Sequence, residues 1–206
     1  MNVRQLLQQP GIWRGRAGTP RRNSQALSTG CDALDRELPQ GGWPPGALTE
    51  VLVAQEGAGE LTLVLPALRE LVRQKRRILL VAPPHVPYAP ALEQQGIDAA
   101  SILVVDAGGD GLWAAEQALR SGVCGAVLCW PRRADDRALR RLQLAAEQGR
   151  SHGFVFRPVA ASRSASPAAM RIGVRPWGEL ELLKCRGAIV RQTRLTLPPR
   201  GSVHRP

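Results

Sequence analysis

The sequence predicts an α/β fold, a mostly parallel sheet flanked by helices, with antiparallel strands added towards the C-terminus. Three observations predict it. Short apolar runs beginning at residue 48 and at residues 78–82, 102–105 and 126–130 alternate with helical patterns, the order that builds a parallel sheet with helices on both faces. Gly or Pro punctuates nearly every junction. Past residue 157 the pattern changes to alternating strands at 170–174, 179–184 and 190–197, with turn residues at 176–178 and 186–187, as in antiparallel hairpins.

The 206 residues suffice for one good core. Residues 28–197 form the expected domain, preceded by a basic, Gly/Pro/Arg-rich segment 1–27 and followed by a basic tail 198–206. Within the first segment, residues 3–9 have a short helical pattern stopped by Pro10-Gly11. Ser28 or Thr29, and Asp32, are expected to cap a short helix carrying Leu34 and Leu38. Gly41-Gly42 and Pro44-Pro45-Gly46 then force turns into the first strand. A helix buried on most sides follows at 61–72, with Pro66 expected to kink it. Helices are also predicted ahead of Gly96, at 112–120 and at 135–148, the last starting on carboxylates as the helix dipole prefers. Residues 159–167 read as a small-residue loop.

Between the first strand and the helix at 61–72 lies A-Q-E-G-A-G-E-L, in the frame of a phosphate-binding loop, G-x-x-x-x-G-K-[ST]. Ala54 stands at the first glycine, Gly57 lies within the loop, Gly59 keeps the second glycine, Glu60 replaces the lysine and Leu61 the hydroxyl residue. A carboxylate thus faces the place of a triphosphate, and no hydroxyl remains there for Mg²⁺. Lys75 and Lys184 are the only lysines and neither follows a glycine. A structural turn accounts for Gly57, Gly59 and Glu60 better than a residual anion site does.

The block S-T-G-x-x-x-L-D-x-x-L-x-x-G-G-x-x-x-G-x-x-T-E, over residues 28–50, resembles the entry to the RecA-type recombinase core, and the likeness extends over about residues 25–197. Within that group G-G-W-P-x-G-A-L-T-E, G-x-G-E-L-x-L-x-L-P-A-L, L-R-R-L-Q-L-A-A-E and F-R-P look most like the ImuA family of translesion-synthesis proteins, with the SOS cell-division inhibitors of the SulA type as relatives. The resemblance implies a RecA-like P-loop NTPase core with a degenerate nucleotide site. The acidic residue that activates water falls near Pro84, and the aspartate ending the hydrophobic strand falls on Trp130. With Glu60 and Leu61, four positions needed for phosphoryl transfer are lost, which implies a pseudo-ATPase with no catalytic residues and no cofactor. The implied function is a cytoplasmic mutasome adaptor, nucleoid-associated when engaged. Its implied partners are an ImuB-type polymerase-like protein, the error-prone DNA polymerase III alpha subunit and RecA. The alternatives are a SulA-type inhibitor binding the tubulin-like division protein, or a DNA-binding accessory protein.

Charge bears on these partners. The net charge of +11 is +5 over residues 1–30, −2 over 31–150 and +8 over 151–206. Basic ends suit DNA or an acidic protein surface. Arg132, Arg133, Arg137, Arg140 and Arg141 surround one predicted helix, with Arg133, Arg137 and Arg141 at i, i+4 and i+8; together with Arg163, Lys184 and Arg186 they are the candidate DNA or partner contacts. The C-terminal strands, rich in this excess charge, are the first expected interface. Trp113, Trp130 and Trp177 read chiefly as packing residues, with Trp130 the best placed for a protein contact. Asp106, Asp110 and Glu116 read as caps. Cys31, Cys124, Cys129 and Cys185 lack C-x-x-C spacing and read as reduced core thiols; His85, His152 and His204 have no metal-ligand spacing. No run approaches membrane-spanning length.

Overall fold

A computed structural model of the chain describes residues 26–55, 59–188, 190 and 194–196. The expected helix at 3–9, Gly57, most of segment 1–27 and the tail 198–206 lie outside the described residues. So does half of the strand expected at 190–197.

The described chain forms one eight-stranded sheet. In chain order its elements are α1 (Asp32–Glu37), β1 (Leu48–Val53), α2 (Glu60–Arg73), β2 (Arg77–Val81), α3 (Ala89–Gln94), β3 (Ile102–Val105), α4 (Gly111–Ser121), β4 (Cys124–Cys129), α5 (Asp136–Gly149), β5 (His152–Pro158), β6 (Met170–Val174), β7 (Glu179–Cys185) and β8 (Arg194–Thr196). The strand order is β3-β2-β4-β5-β1-β6-β7-β8. Pairings from β3 across to β6 are parallel, and β7 and β8 add antiparallel. The predicted α/β class, its order of elements and its antiparallel extension are all present.

Strand periodicity divides the core between two faces. Ile78 and Leu80 of β2 face α2, whose Leu63, Val64, Ala67 and Leu71 cover them together with Leu128 and Phe154. Leu79 and Val81 face the other way, onto Leu119 of α4 and Leu139 and Leu142 of α5. β1 lies between β5 and β6 and is buried along its whole length, Thr49 and Glu50 included. β3, by contrast, is the free edge: Leu103, Val104 and Val105 are 46, 50 and 36 % exposed.

Polar side chains close the amino-terminal side of this sheet. Asp35 is buried and accepts from Ser28 Oγ at 2.7 Å, Thr29 N at 2.9 Å and Thr29 Oγ1 at 2.6 Å. The expected caps therefore act differently. Cys31 is the N-cap of α1 without a side-chain bond, while the Ser28 and Thr29 hydroxyls reach a residue inside the helix. Gly30 (φ +78°) is required because a Cβ would lie 2.5 Å from Pro66, whose ring rests against this turn; α2 runs through Pro66 as one helix. Gly42 is required for close approach, since its Cβ would lie 2.2 Å from the Leu27 carbonyl oxygen. That approach carries Trp43 inward, fully buried, edge-on to Phe154 at 5.2 Å. Gln143 of α5 holds two strand starts together: its Oε1 accepts from Leu48 N at 3.1 Å and Ala169 N at 2.9 Å.

Candidate functional site

Parallel strands leave a crevice beyond their carboxyl ends, where α/β proteins place ligands. Here the ends of β1, β2, β4 and β5 open onto a cleft of about 1230 Å³, lined by Ala54, Glu60, Pro84, Trp130, Arg132 and Arg133 among others. Sequence positions spread over 80 residues, from Ala54 to Arg133, thus meet in one place.

Each wall has a local cause. Gly59 takes the left-handed conformation (φ 96°) that turns the chain into α2, so Glu60 becomes its first helical residue. There the carboxylate benefits from the helix dipole, occupies the end that would attract phosphate, and is buried. Leu61, 39 % exposed, lies one residue on and outside the cleft lining. At the end of β2, Ala82 adopts φ 49°, rare for a residue with a Cβ, and its N–H donates to Val105 O at 2.8 Å. This turn delivers Pro83 and Pro84 to the rim. Trp130 follows β4, donates its backbone N–H to Val81 O at 3.2 Å, and stacks on Phe156 with centroids 4.5 Å apart and planes 8° from parallel. Arg132 and Arg133, both exposed, form one side of the opening, and Asp106 lies on the other, its Oδ1 accepting from Gly108 N at 3.3 Å. The cleft thus has a floor of aromatic and prolyl carbon, with basic and acidic side chains at its rim.

The candidate basic residues do not form one patch. α5 begins at Asp136, so Arg133 precedes the helix and the i, i+4, i+8 relation to Arg137 and Arg141 does not exist. Asp135 caps that helix, accepting from Ala138 N at 2.7 Å. Arg141 is engaged at 3.0 Å by Glu116, which also pairs with Arg120; Glu116 is therefore a buried ion-pair centre and not a cap. Asp110 stands at the N-cap of α4 without a side-chain bond. Arg186 pairs with Glu147 at 2.8 Å, and Lys184 Nζ donates to Ser166 O at 2.6 Å. Burial, with Arg171 and Arg186 nearby, lowers the Lys184 pKa. These internal partners weaken the expectation that the C-terminal strands offer free positive charge. Arg132, Arg133, Arg137 and Arg140 are exposed without an ion pair among the described residues, and Arg163 is exposed on a 3₁₀ turn over Val159–Arg163. Trp113 is 63 % exposed on α4 and so does not pack in the core.

Sequence reasoning missed the strongest ionic site. Glu50, with no exposed surface, lies between Arg157 Nη1 at 2.5 Å and Arg171 Nε at 2.8 Å. Arg157 also donates to Ala134 O, and Arg171 to Ala161 O and Ser164 O, so the guanidinium groups tie the 159–164 turn to the central strand. The glutamate of T-E and the arginine of F-R-P were visible as motif residues; only the β5-β1-β6 pairing makes them one site.

A family model described as the cell division inhibitor SulA matches residues 46–153, 108 of the 206 residues. The chain belongs to the SulA family. Among curated relatives, SulA of Pectobacterium atrosepticum is 29 % identical over 130 residues, covering 58 % of this chain and 73 % of that protein. RecA of Chlorobaculum parvum is 34 % identical over 106 residues, half of this chain but only 30 % of RecA. The crystal structure of SulA from Pseudomonas aeruginosa aligns at 29 % identity with a TM-score of 0.45, over 53 % of this chain and 97 % of the other. The SulA and RecA relationships support the SOS setting expected from the sequence, and the weight falls on SulA and away from the ImuA assignment. No described helix is long and apolar enough to cross a membrane.

Proposed function

We propose that this chain is a non-catalytic, cytoplasmic inhibitor of cell division that acts by binding the tubulin-like division protein. The family match over residues 46–153 carries this reading. The cleft agrees with it, because Glu60, Pro84 and Trp130 stand where a RecA-like nucleotide site needs a lysine, an acid and an aspartate. The similarity to RecA over 106 residues supports the further reading that the sheet is a RecA-like core stripped of turnover.

The test combines expression in a rod-shaped bacterium with a pull-down of the purified full chain against the division protein. Filamentous growth and retention of the division protein are expected, with no ATP hydrolysis above a no-protein control. Normal division together with no retention rejects the inhibitor. The second reading, an adaptor joining an ImuB-type protein, an error-prone polymerase and RecA, draws on the motif likeness and the RecA similarity. RecA and an ImuB-type protein as additional baits decide it, since retention of those two alone transfers the function to lesion bypass. ATP hydrolysis that persists through purification overturns the non-catalytic reading itself.

A further inference from the structure

Resting on the non-catalytic reading of the cleft, we propose that it is a docking groove for a short extended peptide of a partner protein, one that carries an apolar anchor followed by carboxylates. The groove has three parts in a row. At its outer end, Val86 (90 % exposed) and Val104 (50 % exposed) line it with apolar surface. Its floor is the Trp130–Phe156 stack and Pro83-Pro84. At its inner end stand Arg132 and Arg133, exposed and without an ion pair among the described residues.

The spacing suits an extended peptide. From the end of β3 past β2 to β4 is two strand separations, about 10 Å, which about three extended residues span at ~3.3 Å each. Charge sets the polarity. Asp106, at the end of β3, stands two strands away from the arginines at the end of β4, and Arg157 is already engaged by Glu50. Carboxylates are therefore drawn to the exposed Arg132–Arg133 end, and a residue near Asp106 is neutral or basic. A nucleotide or a nucleic-acid backbone, negative throughout, would set phosphate against Asp106 wherever it filled the groove. A peptide can place its charges at one end.

A random dodecapeptide phage library panned on the immobilised full chain tests this. Enriched peptides should share an apolar or aromatic residue followed within about four positions by Asp or Glu. The best is then synthesised with a fluorophore and titrated by anisotropy. R132E/R133E and, separately, V104D should each weaken it by about tenfold or more, while R137E/R140E, exposed and outside the cleft lining, should leave it within about twofold. These positions are exposed, so the variants fold, and circular dichroism checks that they do. No enrichment, enrichment without the acidic pattern, or affinity indifferent to R132E/R133E overturns the groove. So does competition by single-stranded oligothymidylate at lower concentration than the unlabelled peptide, which would make the arginines a nucleic-acid contact. The panning uses this chain alone, so a peptide that binds as described while the division protein is not retained rejects the inhibitor and leaves the groove standing.

Discussion

Two sets of arginines in this protein have opposite fates. Arg157 and Arg171 lie beside the central strand, largely buried and locked by two ion pairs to Glu50 and by bonds to three backbone carbonyls. Arg132, Arg133, Arg137 and Arg140 lie at the surface, and the first two face an open cleft. In the sequence the sets look alike. The difference teaches that an arginine's role follows from what its position leaves it to bind. Buried guanidinium must be neutralised and hydrogen-bonded or the fold fails; exposed guanidinium keeps its capacity for a partner.

The comparison breaks most visibly at Glu50. Glu50→Ala leaves two buried cations facing each other, and chemical denaturation should show a loss of about 3–5 kcal/mol. Adding Arg171→Met should recover part of it, and the double-mutant cycle reads the coupling directly. Next in size is a pH effect at another sealed polar group. Burial, with Arg76 nearby, holds His152 at about 4, below its usual 6.5. The folded state keeps it neutral while the unfolded chain takes up a proton between those values. Stability should therefore fall as the pH drops from 6.5 towards 4, by about 3 kcal/mol at most, and His152→Gln should flatten that slope in denaturant midpoints measured across the window.

Gln143→Ala removes the side chain that accepts from the buried Leu48 N–H and is expected to cost about 1–3 kcal/mol, read as a lower denaturation midpoint. At the bottom of the scale, R137E/R140E should change stability by no more than about 0.5 kcal/mol, since both side chains are exposed. A large loss there would erase the distinction between inner and outer arginines.

Much of this was legible in the sequence because it depends on local pattern. The β1–turn–α2 frame needs only an apolar run, Gly59 and a helical stripe, and the alternation that follows predicts β2, β3, β4 and their helices. The cleft was legible in part: Glu60, Pro84 and Trp130 were placed by resemblance, and the structure brings them to one crevice. What stayed hidden depends on pairing between distant segments. Nothing local marks Glu50 as the partner of Arg157, 107 residues away, or separates Arg141, held by Glu116, from Arg140 beside it. Trp113 was hidden for a related reason. Its helical position is readable, but whether another element covers that side of α4 is not a local property, and the side chain is exposed.

The position of β1 has a consequence in time. It is the first strand of the described sheet to be synthesised, yet both of its neighbours, β5 and β6, come about a hundred residues later. At ribosomal rates of about 5–20 residues per second, this strand emerges some 5–20 seconds before either flank exists to cover it. Until then Glu50 has neither guanidinium and Leu48 has no Gln143. The nascent chain therefore carries this strand without its sheet neighbours through about half of its own synthesis, and the sheet closes at its middle only late.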